Sequence, residues 1–65
     1  MSSREEMRVK INLVKLANRM PDVITVKELA VMLGIDNKQA GKILARLERL
    51  GLYRRVSHST YKRIA

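Results

Sequence analysis

Apolar residues recur along the chain at two spacings, and the change from one to the other divides it. From about residue 3 to residue 19 the spacing is helical: Val9, Leu13, Leu16 and Met20 form one row, and Met7, Ile11 and Val14 form another on nearly the opposite side. Ser3 and Glu6 stand three apart as a capping box, and Pro21 stops the helix. Val23-Ile24 reads as a short extended piece, after which Thr25 and Glu28 form a second box and open a helix over about 26–33. Leu29, Ala30 and Leu33 are its predicted inward stripe, Gly34 supplies the left-handed residue that ends it, and Ile35 plugs the turn. Asp36 then caps a third helix over about 37–50, with Gln39 placed to reach back. Its inward face is Ala40, Ile43, Leu44, Leu47 and Leu50, and Gly51 ends it. Beyond Gly51 the β-branched and aromatic residues of Leu52–Val56 and Thr60–Ile64 predict a hairpin over about 52–64 around Ser57-His58-Ser59. The pattern predicts a mainly α fold, three helices plus a small β-hairpin, filling one domain.

Charge adds what hydropathy does not. The chain has 65 residues and a formal net charge of +8, which attracts polyanions: nucleic acid first, an acidic membrane or partner second. The charge is unevenly placed. Residues 21–36 hold one cation against three carboxylates, whereas residues 37–50 carry a net +3 and residues 51–65 a net +4. Concentration on the third helix and the hairpin predicts a binding surface on those two elements. There is no Cys and one His, so neither a disulfide scaffold nor a thiolate metal site is expected. No apolar run long enough to span a bilayer occurs, and a cytoplasmic, nucleoid-associated protein is expected. No P-loop or nucleophile–base set is visible, and the carboxylates fall mainly at helix starts, where capping accounts for them. The expectation is a protein that is not an enzyme and needs no cofactor.

Three segments, Ile24-Thr25-Val26-Lys27-Glu28-Leu29-Ala30, Leu33-Gly34-Ile35-Asp36 and Leu44-Ala45-Arg46-Leu47-Glu48-Arg49-Leu50-Gly51-Leu52, closely resemble the winged helix-turn-helix superfamily of small transcriptional regulators. The resemblance covers residues 23–64 and implies a recognition helix in the DNA major groove and a hairpin wing on backbone or minor groove. It implies recognition-helix contacts from Asn37, Lys38, Gln39, Gly41, Lys42, Ala45, Arg46 and Arg49, and wing contacts from Arg54, Arg55, His58, Lys62 and Arg63. The chemistry of these residues suits the role: Lys meets phosphate or guanine, Asn and Gln can pair with adenine, and Ala can touch a thymine methyl. Plainer readings stand beside it. Lys38, Lys42 and Arg49 can be an ordinary solvated helix face, Gln39 can serve only as a cap, Gly41 can reflect helix packing, His58 can be a polar turn residue, and the wing cations can merely protect sheet edges.

A weaker similarity links Gly51-Leu52 through Val56-Ser57 to the winged-helix protein of the archaeal and eukaryotic small ribosomal subunit, whose Lys-rich N-terminal tail is missing here. RNA is therefore a lesser alternative partner, and a non-specific architectural DNA-binding protein is another. Only Tyr53 and Tyr61 are aromatic, too few for a base-stacking platform, which favours duplex DNA. The second apolar row of the first helix and two apolar residues on the second predict a homodimer through Met7, Ile11, Val14, Val31 and Met32.

Overall fold

The computed structural model describes residues 12–64. Residues 12–19 are helical (α1) and are followed by β1 (Val23–Thr25), α2 (Val26–Leu33), α3 (Asn37–Arg49), β2 (Tyr53–Ser57) and β3 (Thr60–Arg63). The three strands form one antiparallel sheet in the order β1-β3-β2, so three helices pack with a sheet of three strands rather than with a hairpin alone. Val23-Ile24, expected only to be extended, pairs with β3: Val23 opposes Lys62, Ile24 opposes Tyr61 and Thr25 opposes Thr60. The Ser3–Glu6 box, Met7 and Ile11 lie outside the described residues.

Helix ends follow from local chemistry. The Thr25 hydroxyl accepts from the Glu28 amide at 3.1 Å while the Glu28 carboxylate accepts from the Thr25 amide at 3.0 Å, so two otherwise unpaired donors are satisfied reciprocally. At the other end of α2, Gly34 adopts φ 67°, and the Ile35 and Gly34 amides donate to the Ala30 and Val31 carbonyls at 3.0 and 3.3 Å. The same pair of bonds closes α3, where Gly51 at φ 75° donates to Glu48 and Leu52 donates to Leu47, both at 3.0 Å. Asp36 caps the start of α3 by accepting from the Gln39 amide at 2.8 Å.

The core gathers Ala17 and Met20 from the α1 end, Ile24, Leu29, Ala30, Ala40, Leu44, Leu47, Tyr53 and Tyr61. Full burial of Leu29, Leu44 and Leu47 contributes about 1.5–3 kcal/mol each. One expected core residue moves out. Leu33 is 36% exposed, because the last turn of α2 runs past the packed interior, and Val26 in the first turn packs against the core instead.

The wing is shorter than its sequence pattern. Ser57 opposes Thr60, leaving His58-Ser59 as a two-residue turn, and the register shifts at Val56, between Arg55 and Ser57. Among the described residues none other than glycine has positive φ, so the turn is neither of the mirror-image types that match strand twist unaided. The Val56 bulge adds local twist beside it. No helix among the described residues is long and apolar enough to cross a membrane.

Candidate nucleic-acid interface

α3 separates its two faces cleanly. Ala40, Leu44 and Leu47 are buried, with Ile43 and Leu50 half-buried beside them. On the opposite side Lys38, Lys42, Ala45 and Arg49, spaced by four, three and four residues, are all exposed. This strip covers about 16 Å of helix length. Asn37, Gln39 and Arg46 are exposed at its flanks. Among the described residues the α3 cations form no ion pair, so their charge is unspent within the fold.

Two positions that admitted plainer readings are clarified by geometry. The Gln39 side chain makes no hydrogen bond back to Asp36, so the Asp36–Gln39 box is only half formed and the Gln39 side-chain carboxamide is not used as a cap. Gly41 lies mid-helix, and a methyl group built there meets no described atom of another element within 4 Å, so packing against the described residues does not account for the glycine. Gly41→Ala should stabilise the domain by about 0.8–1 kcal/mol, read as a rise in melting temperature. A simultaneous loss of DNA affinity would show that the bare backbone is in contact with the duplex; unchanged affinity would remove Gly41 from the interface.

In the wing, strand alternation divides the cations. Arg54 and Lys62 are direct cross-strand partners on one sheet face, both exposed. Like charges placed opposite each other are destabilising in a free sheet, and an anion bridging them relieves the repulsion. Arg55 folds over the turn, donating to the Ser57 carbonyl at 3.3 Å and the His58 carbonyl at 2.8 Å, with His58 Nδ1 3.5 Å away. Both Arg55 and His58 remain exposed at the wing tip.

Arg63, expected among the wing contacts, is engaged by groups within the fold. Its guanidinium donates to the Ala17 carbonyl, to the Met20 carbonyl at 2.7 Å and to the Asp22 carboxylate at 3.2 Å, and its carbon lies 5.4 Å from the Tyr53 ring centroid. It adds a donor to the carbonyls where α1 ends, that of Ala17 already accepting from the Met20 amide at 3.1 Å, at a position the helix dipole makes favourable for a cation. Tyr53 closes the same corner by donating to the Pro21 carbonyl at 2.7 Å. Burial pushes the Tyr53 phenol above its ordinary pKa, and the nearby Arg63 charge offsets part of that rise. The signal for this arrangement was present in the chain: adjacent strand residues face opposite ways, so Lys62 and Arg63 could not both lie on the outer face.

Of the residues expected at a dimer contact, Val14 is half-buried, whereas Val31 and Met32 are 77% and 46% exposed on α2. No protein-family model, curated protein or solved structure matches the chain.

Proposed function

We propose that this chain is a winged helix-turn-helix protein that binds double-stranded DNA, with α3 in the major groove and the β2–β3 hairpin on the phosphate backbone. The observation carrying this reading is the exposed strip Lys38, Lys42, Ala45 and Arg49, which sets cations and a small apolar contact along one side of a helix whose other side is the core. A helix of about 10–12 Å diameter fits a groove about 12 Å wide. The α2–turn–α3 unit, with Gly34 left-handed and Ile35 inserted, and the sheet order β1-β3-β2 are compatible with that architecture. Arg54 and Lys62 supply the adjoining phosphate contacts, with Arg55 and His58 at the tip. The function that fits is transcriptional regulation at a defined site.

The protein acts as a two-fold dimer in this reading. Val31 and Met32 support it by leaving apolar area uncovered on α2, and sedimentation as a monomer at tens of micromolar would overturn it. The DNA reading is tested by fluorescence anisotropy with a random DNA duplex and a matched RNA duplex at two salt concentrations. The expected result is micromolar DNA binding whose logarithmic salt slope is about 0.9 per phosphate contact. Preference for the RNA duplex would move the protein to the ribosomal-type reading, and affinity for neither would remove the nucleic-acid function.

A further inference from the structure

A groove of about 670 Å³ runs along the side of α3 next to α1. Its floor is apolar: Leu13 of α1, Ile35 of the α2–α3 turn and Ile43 of α3 are each half-buried against the core. Its rim is cationic, formed by Lys42, Arg46 and Arg49. None of the described residues lining it bears a carboxylate. Along α3 it extends from Gln39 to Arg49, about 15 Å or nearly three helical turns. Small-molecule sites enclose most of their ligand's surface, whereas a long trough open along one side suits an elongated occupant.

We propose that this groove docks an acidic amphipathic helix of a protein partner. Apolar side chains at i, i+3/i+4 and i+7 of that helix rest on Leu13, Ile35 and Ile43, and its flanking carboxylates meet Lys42, Arg46 and Arg49. Charge selects this occupant over the chain itself. A second copy brings a net +8, and residues 1–11 hold Arg4, Arg8 and Lys10 against Glu5 and Glu6, so neither supplies the negative complement. Lys42 and Arg49 also belong to the strip assigned to DNA, so the partner helix and the duplex exclude each other. That consequence rests on the DNA reading; the docking itself does not.

The test is anisotropy of a fluorescein-labelled peptide of about four helical turns, with Leu on one face and Glu on the other, titrated with the full chain. Saturable micromolar binding is expected, weakened about tenfold by Arg46→Glu and changed less than about twofold by Lys62→Glu, whose site lies on the sheet. Ile43→Ala, checked for folding by its melting curve, should weaken binding without any change of charge. Equal weakening by both charge reversals would reduce the effect to general attraction and overturn the proposal. So would equally tight binding of a peptide with Ser in place of Leu, of a peptide copying residues 1–11, or no binding at all. A DNA duplex titrated in parallel separates the two readings: peptide binding without duplex binding sinks the DNA function and leaves the groove standing.

Discussion

Arg63→Ala should lower the melting temperature by about 10–20 °C while leaving DNA affinity, measured well below the transition, unchanged. The guanidinium makes three hydrogen bonds and is only 21% exposed, and it reaches residues 41 to 46 positions away in the chain. Hydrogen bonds involving a charged group are worth about 1.5–3 kcal/mol, and since one group makes all three, their sum is smaller than three such values. We take about 2–3 kcal/mol in total, and in a domain of this size each kcal/mol shifts the transition by about 4–8 °C. The Asp22 contact contributes least, because Asp22 is 83% exposed and solvent screens the pair. Arg63→Lys keeps the charge but loses the planar fork, and should recover less than half of the loss. A melting temperature unchanged by Arg63→Ala, with affinity reduced instead, would return Arg63 to the phosphate contacts that its sequence position suggests.

The second large effect concerns binding rather than stability. The double variant Lys38→Glu/Lys42→Glu should bind duplex DNA about a hundredfold more weakly at low salt, with the logarithmic salt slope reduced by about 2. Both side chains are exposed and form no ion pair among the described residues, so folding loses nothing with them. Lys38 stands in the first turn of α3, where a cation opposes the helix dipole and no acidic residue is present. Glu at that position should stabilise the helix by about 0.3–1 kcal/mol. A fall in affinity beside an unchanged or raised melting temperature would show that this residue serves binding at the expense of the helix. Undiminished affinity would remove α3 from the interface, and a collapsed melting curve would mean that the strip is structural.

Elements governed by near neighbours were legible in the chain. Thr25 and Glu28, Asp36 and the Gln39 amide, and the bonds around Gly34 and Gly51 act over three to five residues, so their spacing alone placed the ends of α2 and α3. The 3.6-residue period likewise separated the buried side of α3 from its cationic side, because a helix fixes which residues share a face whatever it packs against. Periodicity failed at Leu33, which has the right phase but lies beyond the interior at the end of α2.

Contacts distant in sequence needed the tertiary structure. The pairing of β1 with β3 sets the sheet order, and that register turns Lys62 outward beside Arg54 while Arg63 faces the α1 corner. The groove likewise exists only because Leu13 and Ile43, thirty residues apart, come to line one surface. By itself the sequence determined α2 and α3, the Thr25 and Asp36 caps that open them and the amount of positive charge on α3 and the wing, since these depend on local hydrogen bonds and helical phase. The tertiary structure decided which cations face solvent and which hold the fold together, because that depends on which backbone carbonyls and rings distant segments bring within reach of a guanidinium.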